Sequence, residues 1–542
     1  MPIPGGPRPA HVVPRPLAGV VSHLATQLGL PPAAVAEQSA ASRVHVTGVT
    51  LSSHTVLPGD LYAALPGART HGAEFTRQAA EAGAVAVLTD PAGAARARAA
   101  GLPVLVVPDP RAVLGGLAAW VYGEPGDQML TLGVTGTNGK TTTTSLLDAA
   151  LRAAGRRTGL VGTVELRLGD ERLPSTGTTP EAPDLHALLA AMVERGVTVC
   201  SMEVSSHALA LHRVDGLVLD VAAFTNLSQD HLDFHGSMEA YFAAKASLFT
   251  PQRSRRAVVC VDDVWGERLA ALATVPVVPV ATRPGALPGA AGWRVLQEHL
   301  EAGLPVARVA GPDGREVRLR SPLPGRFNLA NALVALAVLV EAGLEPEQAA
   351  DAVAAAGPVP GRMERVGEPG MPAGAPLAVV DFAHSPDAVE QALAALRGAA
   401  PVAGKPLVVV LGAGGDRDRD KRPLMGAAAA RGADVVVVTD DNPRSEDPAA
   451  IRAAVLDGAV DVARDSGTLV LEVPGRRDAI SEGVRRAWGG GIVLVAGKGH
   501  EQGQEAGGVV HPFDDRAALG AALVGALGEQ AHTGSTQQEG VR

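Results

Sequence analysis

The fold is decided by the stretch Thr131-Leu-Gly-Val-Thr-Gly-Thr-Asn-Gly-Lys-Thr-Thr-Thr-Thr144. Its apolar first half predicts a buried strand, and the leucines and alanines that follow Ser145 have helical spacing. Between them lies a glycine-rich turn, followed by Lys140 and Thr141. In such a strand–turn–helix unit the N–H groups of the turn and of the helix N-terminus face anionic oxygens. The stretch therefore predicts a phosphate site, where Lys140 reaches the β- and γ-phosphates and Thr141 holds Mg²⁺.

The turn departs from the strict phosphate-loop pattern at one position, because Val134 stands where that pattern has a glycine. The remaining pattern is Gly136-x-x-Gly139-Lys140-Thr141, and an ordinary strand–helix turn with a surface lysine is the alternative. The flanking strand and helix favour the phosphate site. The residues predicted to surround the nucleotide are Gly133, Val134, Thr135, Gly136, Thr137, Asn138, Gly139, Lys140, Thr141 and Thr142.

The composition indicates a multidomain cytoplasmic protein. The chain has 542 residues, of which 46% are hydrophobic and 19% charged, and at about 100–200 residues per domain this length predicts three domains. The net charge of −10 argues against nucleic acid as a main partner. Two separated cysteines exclude a disulfide framework or a thiolate metal site. We see neither a signal-peptide pattern nor an apolar run of the ~20 residues that span a bilayer, so we predict no membrane span.

Lysine is scarce in this chain. Of 47 basic residues only five are lysines, namely Lys140, Lys245, Lys405, Lys421 and Lys498. Since arginine serves elsewhere, these lysines are candidates for roles that need a compact ammonium or a nucleophilic amine. The alternative is that these five lysines occupy their positions by chance.

Polar residues follow several buried strands of the middle region. Glu203 ends the strand predicted at 197–202, and a carboxylate there, next to a phosphate loop, is the usual second anchor for Mg²⁺; a lone surface glutamate is the alternative. The strand predicted at 217–224 is followed by Asp230, His231, Asp233 and His235, for which we expect metal or phosphate contact rather than a plain polar loop.

Two later features also point to the nucleotide. Lys245 lies on an apolar helix, where a snorkelling surface lysine is the alternative to a functional one. Asn328 and Asn331 are three residues apart near a helix start and so share a face. One asparagine there would be a cap, but two with Arg326 indicate nucleotide contact.

Four strands predicted after residue 376 each end in a polar loop. The loops are residues 381–387, 414–421, 440–444 and 497–501. In doubly wound sheets ligands bind outside the carboxyl ends of the strands. Loops with charges of both signs suit a zwitterionic substrate, and solvated turns are the alternative.

Six motifs occur in order along the chain: Gly136-Thr-Asn-Gly-Lys-Thr141, Glu203-Val-Ser-Ser-His207, Thr225-Asn…Asp230-His-Leu-Asp233, Asn328…Asn331, Asp381-Phe-Ala-His384 and Asp441-Asn-Pro-Arg444. Together they resemble the Mur ligase family from about Leu51 to Glu501. The resemblance implies an α/β fold of three domains: a small UDP-binding domain at 1–126, a central ATPase domain with a parallel-rich sheet at 127–356 and a Rossmann-like domain at 357–528. Residues 1–16 are expected to be loose and residues 529–542 to form a disordered tail.

The resemblance also implies an activity. ATP and Mg²⁺ would be used to join an amino acid to UDP-N-acetylmuramoyl-L-alanyl-D-glutamate through an acyl phosphate, in peptidoglycan synthesis. The partners would be these small molecules, and we expect a cytoplasmic monomer. The catalytic residues would be Lys140, Glu203, His231 and Lys245. CO₂ would convert Lys245 into a carbamate, which helps to hold a second Mg²⁺ with Glu203 and His231, in addition to the Mg²⁺ held by Thr141.

The resemblance places the remaining binding residues in three groups. Further nucleotide contacts would be Asn328, Asn331, Arg362, Asp381 and His384. Contacts to the UDP-linked acceptor would be Leu51, Ser53, Thr178, Thr179, Ser205 and Arg213. The pocket for the incoming amino acid would consist of Arg417, Asp441, Asn442, Pro443, Arg444, Gly497 and Glu501.

The chain departs from the family pattern at three places. Ser52-Ser53-His54 replaces Asp-Ser-Arg, Leu211 stands where a glutamine often contacts the acceptor, and Phe382 replaces a tyrosine. The first two concern acceptor contacts, and the third removes a hydroxyl.

The form of the 441–444 motif resembles that of enzymes that take meso-diaminopimelate. Arg444 and Arg417 would pair with its distal carboxylate, and Glu501 with its distal ammonium. L-lysine and L-ornithine, which lack that carboxylate, are the alternatives. A folate polyglutamylating ligase is a more remote alternative, since such enzymes share the phosphate loop but lack the Asn-Pro-Arg loop.

Overall fold

The structure, a computed structural model, describes residues 6–35, 44–175, 177–283, 285, 292–367, 371–372, 374–398 and 404–538. In this part of the chain three successive α/β units each have their own main sheet, of four, eleven and six strands. The predicted fold class, three α/β domains with parallel-rich sheets, is confirmed.

The first unit is a small parallel sheet covered by helices. Its sheet has the order β3-β4-β5-β6, and the short pair β1-β2 lies beside it. Apolar side chains of β3, β4 and β5 pack against two long helices, α1 and α4. The elements are β1 (Arg15–Pro16), α1 (Leu17–Leu28), β2 (His45–Val46), β3 (Gly48–Thr50), β4 (Asp60–Ala64), α2 (Thr76–Glu81), β5 (Ala86–Thr89), α3 (Ala94–Arg98), β6 (Val104–Val106) and α4 (Pro110–Val121).

The N-terminal arm is held rather than loose, contrary to the prediction for residues 6–16. Arg8 donates to both carboxylate oxygens of Asp60, at 2.7 and 2.8 Å. The N–H groups of Ala10 and His11 donate to the carboxylate of Glu194, both at 2.7 Å. The proline-rich composition of this arm predicted a loose segment. The residues that hold the arm are distant in sequence, so no local pattern indicated them.

The second unit contains the phosphate loop. Its elements are β7 (Leu130–Thr135), α5 (Lys140–Ala153), β8 (Thr158–Val161), β9 (Glu165–Leu168), β10 (Glu171–Pro174), α6 (Ala182–Glu194), β11 (Val199–Glu203), α7 (Ser206–Ala210), β12 (Val221–Phe224), α8 (Leu232–His235), α9 (Met238–Ala246), β13 (Ala257–Cys260), α10 (Val264–Leu272), β14 (Val277–Ala281), β15 (Trp293–Glu301), β16 (Leu304–Ala310), β17 (Glu316–Arg320), α11 (Arg326–Glu341) and α12 (Pro346–Ala354). α5 begins at Lys140, earlier than the apolar spacing indicated, because the first turn is made of threonines.

The register of the central sheet brings three loops to one edge. The strand order is β10-β9-β8-β11-β7-β12-β13-β14-β15-β16-β17. β7 runs parallel to β11 on one side, with Glu203 paired to Val134, and to β12 on the other, with Phe224 paired to Thr135. Since parallel strands end at the same edge, the phosphate loop, Glu203 and the loop after β12 are neighbours.

The third unit is a doubly wound sheet with the order β18-β19-β23-β20-β21-β22. The four strands predicted after residue 376 are β19, β20, β21 and β23, which pair in parallel. The elements are β18 (Glu364–Val366), β19 (Leu377–Asp381), α13 (Pro386–Gly398), β20 (Leu407–Leu411), α14 (Lys421–Gly432), β21 (Val435–Val438), α15 (Pro448–Ser466), β22 (Leu469–Glu472), α16 (Arg476–Ala487), β23 (Ile492–Ala496), β24 (Gly503–Ala506), β25 (Val509–Pro512) and α17 (Asp515–Gln538).

The last helix extends into the tail. α17 continues to Gln538, so the segment predicted to be disordered is helical that far, and residues 539–542 lie outside the described residues. Each residue added to an anchored helix gains one backbone hydrogen bond, and Leu519 and Leu523 anchor this helix in the core. In the described part of the chain we find no helix both long and apolar enough to cross a bilayer.

Candidate active site

The phosphate loop connects β7 to α5 and depends on its two glycines. Gly136 and Gly139 have φ values of 152° and 88°, a region that disfavours other residues. A Cβ at Gly136 would lie 2.0 Å from the Thr225 hydroxyl, and one at Gly139 would lie 2.2 Å from the Asn331 side chain. The loop is therefore packed tightly between two other parts of the central unit, which leaves its N–H groups little freedom.

The two lysines predicted to be catalytic meet at one backbone carbonyl. Lys140 Nζ donates to the carbonyl oxygens of Gly136 and Thr137, both at 2.9 Å. Lys245 Nζ donates to the same Gly136 oxygen at 2.7 Å and lies 4.7 Å from the centre of the Tyr241 ring. Burial lowers the pKa of Lys140, against the opposing effect of Glu203 and Asp230.

The pKa of Lys245 is lowered more strongly than that of Lys140. Lys245 is buried within α9, with 1% of its surface exposed. Burial, together with the nearby charge of Lys140, lowers the pKa of Lys245 well below its ordinary value. Its amine is therefore uncharged far more readily than that of a surface lysine, and only an uncharged amine is nucleophilic.

Glu203 faces the phosphate loop, at the end of β11 where it was predicted. Its Oε2 accepts hydrogen bonds from the hydroxyls of Thr141 and Thr163, each at 3.1 Å. Its Oε1 accepts from the N–H of Thr163 at 2.7 Å. The hydroxyl oxygen of Thr163 also lies 3.1 Å from that of Thr178. The carboxylate thus lies next to the hydroxyl predicted to hold Mg²⁺.

The loop after β12 brings an acid to the same place. Asp230 is buried, and its carboxylate lies 3.5 Å from the His231 ring, 3.8 Å from His384 Nε2 and 3.8 Å from Lys421 Nζ. Burial alone would raise the pKa of Asp230, but His384, His231 and Lys421 lower it. Burial lowers the pKa of His231 despite the opposing effect of Asp230, which favours the uncharged form of the imidazole that binds metal ions.

The side chains fit a partial magnesium site. Thr141, Glu203 and His231 supply a hydroxyl, a carboxylate and an imidazole beside the loop. Among the described residues, however, we find no group of three or more His, Cys, Asp or Glu side chains placed to hold a metal ion. Mg²⁺ usually takes one or two carboxylates and completes its shell with water and phosphate oxygens, so a partial site is what the residues present allow.

The third unit contacts the phosphate loop directly. Arg362 donates to the Thr141 hydroxyl at 3.0 Å, and its guanidinium stacks 4.5 Å from the centre of the Phe382 ring. Asn138 donates to the carboxylate of Asp387 at 3.1 Å. The phenylalanine that replaces a tyrosine in the family pattern therefore still provides a stacking surface.

The side chains of three other residues predicted to contact the nucleotide, Asn328, Asn331 and Asp381, form hydrogen bonds within the protein. Asn331 donates to Asn328 at 3.1 Å, and Asn328 donates to the carbonyl oxygen of Pro324 at 2.8 Å. Asp381 accepts from the N–H groups of Met363 and Ala383, at 2.7 and 2.8 Å. Asp381 thereby fixes the turn that carries Arg362.

A cavity of about 720 Å³ lies between the second and third units. It joins the phosphate loop to the carboxyl ends of β19, β20, β21 and β23. The predicted site residues that line it are Thr137, Asn138, Gly139, Lys140, Thr141, Thr142, Thr178, Glu203, His231, Asn328, Asn331, Arg362, Asp381, His384, Arg417, Asp441, Asn442, Arg444, Gly497 and Glu501.

Two arginines face this cavity from the third unit. Arg444 has a φ of 53°, and its Nη1 donates to the carbonyl oxygen of Gly415 at 2.6 Å, while its Nε lies 3.4 Å from a carboxylate oxygen of Glu505. Arg417 is exposed and has neither a hydrogen-bond nor an ion-pair partner among the residues the structure describes. An exposed guanidinium without an anion is ready to receive one.

Other predicted residues lie outside the cavity wall. One group of three residues, Thr179, Ser205 and Arg213, lies behind Glu203. The Thr179 hydroxyl donates to the Glu203 carbonyl oxygen at 2.9 Å and accepts from the Ser205 N–H at 3.1 Å. Arg213 donates to the Thr179 carbonyl oxygen at 3.3 Å. The remaining residues are Gly133, Val134, Thr135, Gly136, Lys245 and Pro443, which lie behind the wall, and Leu51 and Ser53 in the first unit.

Sequence reasoning singled out no role for several residues that the structure places in or beside the site. Thr163 binds Glu203, Lys421 lines the cavity beside Asp230, and Lys498 contacts Glu501. The scarcity of lysine was a signal for two of them. Four of the five lysines lie in or beside the cavity, and the exposed Lys405 is the exception. Nothing in the local sequence marked Thr163.

Comparison with known proteins yields a consistent set of similarities. Three family models match: the Mur ligase family, catalytic domain, at residues 45–122; the Mur ligase middle domain at 134–339; and the Mur ligase, glutamate ligase domain, at 361–499. UDP-N-acetylmuramoyl-L-alanyl-D-glutamate--2,6-diaminopimelate ligase of Streptomyces avermitilis is 55% identical over 525 residues, which cover 96% of this chain and 99% of that protein. UDP-N-acetylmuramyl-tripeptide synthetase of Leifsonia xyli subsp. xyli is 46% identical, with coverages of 95% and 97%.

A solved structure has a similar fold over most of this chain. It is the structure of a UDP-N-acetylmuramoyl-L-alanyl-D-glutamate--2,6-diaminopimelate ligase that is 31% identical to this chain. The TM-score is 0.62, and the alignment covers 90% of this chain and 97% of the other.

Proposed function

The chain belongs to the Mur ligase family, and we propose that it adds meso-diaminopimelate to UDP-N-acetylmuramoyl-L-alanyl-D-glutamate at the expense of ATP, a step of peptidoglycan synthesis. The observation that carries this proposal is one cavity with a phosphate loop at one end and the arginines Arg417 and Arg444 at the other. Its relatives are named for the same acceptor and the same amino acid, which supports these substrates.

The reaction needs a carboxylate with a leaving group, because a carboxylate alone does not react with an amine. The glutamyl γ-carboxylate attacks the γ-phosphorus of ATP in line, the bond from that phosphorus to the bridging oxygen breaks, and ADP leaves. The amine of the amino acid then attacks the carbonyl carbon of the acyl phosphate, inorganic phosphate departs, and the amine loses a proton. Lys140 neutralises charge on the phosphoryl oxygens, and the loop N–H groups hold them in place.

A magnesium site and a carbamate complete the proposal. Mg²⁺, when bound, would stabilise negative charge on the phosphate oxygens, held by Thr141, Glu203 and His231. We propose that the uncharged amine of Lys245 reacts with CO₂ to form a carbamate, which adds an anionic ligand to this group. The burial of Lys245 and its lowered pKa support this role.

The remaining assignments follow the same division of the chain. We propose domain boundaries at 126/127 and 356/357. The acceptor would extend from Leu51 and Ser53 in the first domain to Thr178, Thr179, Ser205 and Arg213 in the second. We further propose that the enzyme is cytoplasmic, since its substrates are ATP, a diamino acid and a UDP-linked precursor. We propose that it acts as a monomer, since one chain supplies the phosphate loop and the arginines of the same cavity.

The direct test is an assay of the purified protein. ATP and UDP-N-acetylmuramoyl-L-alanyl-D-glutamate are supplied with meso-diaminopimelate, L-lysine or L-ornithine, and phosphate release and the tripeptide product are measured. We expect turnover with meso-diaminopimelate at least about tenfold above the others. ADP release that depends on a folate instead would indicate the polyglutamylating ligase.

We expect Arg444→Met to lower kcat/KM for meso-diaminopimelate by about 100-fold. The substitution removes a guanidinium that faces the distal carboxylate, and loss of one partner of a desolvated charge pair costs about 2–5 kcal/mol. The KM for ATP should change by less than about twofold, because Arg444 lies on the far side of the cavity. Arg464→Met is the matched control, since Arg464 is 72% exposed. An unchanged kcat/KM in the Arg444 variant would contradict the assignment.

We expect Glu181→Gln to raise the KM for the UDP-linked acceptor by about tenfold. Glu181 joins Arg213 at 2.8 Å to Arg111 of the first domain at 3.1 Å, so its carboxylate both aims an acceptor contact and links two domains. The KM for ATP and kcat should stay within about twofold. Steady-state kinetics with each substrate varied in turn will show this, and Glu74→Gln, an exposed glutamate of the first domain, is the control.

A further inference from the structure

Lys498 is a fully buried lysine to which the proposed mechanism assigns no role. It follows β23, and its side chain is 0% exposed. Its Nζ donates to Glu501 Oε2 at 2.8 Å and to Asn442 Oδ1 at 2.9 Å. Both partners line the cavity and belong to the proposed amino-acid pocket. A buried ammonium is retained where its charge or its hydrogen bonds are needed.

Lys498 closes a triangle of hydrogen bonds. Asn442 Nδ2 donates to the same Glu501 Oε2, at 2.8 Å. Asn442 Oδ1 accepts a second hydrogen bond, from the N–H of Glu505, at 3.0 Å. Because an ammonium and a backbone N–H can only donate, Lys498 and Glu505 together determine which way the Asn442 amide faces. The position of Glu501 therefore depends on Lys498 directly and through Asn442.

The charges around Glu501 bear on the choice of amino acid. Lys498 compensates the Glu501 carboxylate at contact distance, and Arg362 and Arg476 also lie within electrostatic range of it. A substrate ammonium that approaches Glu501 consequently meets a carboxylate that is already paired. On the cavity wall Arg417 and Arg444 add positive charge, and Asp418 and Asp441 add negative charge. Compensation of Glu501 by Lys498 therefore helps to set the charge balance of this pocket.

The candidate amino acids differ in charge at the end that does not react. The distal end of meso-diaminopimelate carries an ammonium and a carboxylate and has no net charge, whereas the distal end of L-lysine carries one positive charge. Each added positive charge in the pocket therefore disfavours lysine more than diaminopimelate. Each positive charge removed has the opposite effect.

We propose that Lys498 is a specificity-determining positioning residue, which holds Glu501 and Asn442 in place and compensates the Glu501 carboxylate, so that a diamino acid without a distal carboxylate is disfavoured. This inference rests on the proposed function and identifies what excludes lysine from the same pocket.

The test compares three variants of the full-length enzyme, with the ratio of kcat/KM for meso-diaminopimelate to that for L-lysine as the readout. We expect Lys498→Met to lower this ratio at least about tenfold, because the Glu501 carboxylate is left uncompensated and attracts an ammonium. Glu501→Gln should raise the ratio, since it makes the pocket more positive. The double variant restores the original charge balance and should return the ratio to within about threefold of the wild type.

Controls separate this role from a purely structural one. Lys405→Met removes an exposed lysine and should leave the ratio unchanged, and the KM for ATP should stay within about twofold in all variants. A general loss of packing would lower both kcat/KM values together and leave their ratio unchanged. If the Lys498 variant does not fold, Glu501→Gln and the double variant, which leaves no unpaired carboxylate, still measure the effect of charge.

Two results would overturn the inference: the same ratio in all folded variants, or a shift in the same direction for both single substitutions. Calorimetric titration with each amino acid measures the preference without turnover. A wild-type enzyme that binds both amino acids but forms no product would refute the proposed function, while the binding ratio would still decide the role of Lys498.

Discussion

Replacing Lys140 by alanine is expected to lower turnover by at least about 10³-fold. In phosphoryl transfer the protein contributes mainly positioning and charge stabilisation, and loss of a single donor aimed at developing charge commonly costs about 10²–10³-fold. Lys140 is the ammonium of the phosphate loop itself, beside Glu203 and Thr141. Its removal should therefore have an effect at the upper end of that range.

The fold of this variant should remain intact. Lys140 is half-buried and faces the cavity, so the carbonyl oxygens of Gly136 and Thr137 that it now contacts become accessible to water. The measurement is phosphate release at saturating substrates, combined with thermal unfolding of the same preparation. Lys405→Ala is the matched control. Activity near that of the wild type in a folded Lys140 variant would refute the assignment of the phosphate site.

Replacing Lys245 by methionine is expected to lower turnover by about 100-fold or more. Methionine keeps the length of the side chain and fits its apolar surroundings, so the change tests the chemistry of the amine rather than the packing of α9. If the amine carries a carbamate, its loss removes one anionic ligand beside Glu203 and His231. The KM for the amino acid should change little, because Lys245 lies behind the opposite end of the cavity.

Carbon dioxide provides an independent measurement for the same residue. Removal of CO₂ and bicarbonate from the wild-type enzyme should lower its activity, and added bicarbonate should restore it. NMR with isotope-labelled bicarbonate should show a carbamate signal in the wild type that is absent in the Lys245 variant. If activity does not depend on CO₂ and the labelled signal is absent, Lys245 acts through its amine alone and the carbamate is disproved.

Much of the site could be predicted because its residues stand in short local patterns. The glycines and lysine of the phosphate loop, Glu203 at the end of β11 and the loops after the strands of the third domain are each marked by the residues next to them. The use of arginine in place of lysine was a further signal, and it pointed to Lys421 and Lys498 before any role could be given to them. Their partners, Asp230 and Glu501, became apparent only from the folded chain.

Other features could not be predicted because they depend on residues that are distant in sequence. The arm at residues 6–16 is held by Asp60 and Glu194. Glu181 looks like an ordinary start of α6, yet its carboxylate bridges arginines of two domains. Asp381 was expected to contact the nucleotide, and the structure shows its carboxylate accepting two backbone N–H groups, which fixes the turn next to Arg362.

The sequence alone determined the kind of chemistry, because a strand, a glycine turn, Lys140 and a helix specify a phosphate site through local backbone geometry. It also determined the order of the three α/β domains. Only the tertiary structure decided which charges meet: that Lys140 and Lys245 share one carbonyl oxygen, that Arg362 reaches Thr141, and that Lys498 compensates Glu501. Electrostatic interactions depend on distance and burial, and both are set by the packing of units that the chain itself keeps far apart.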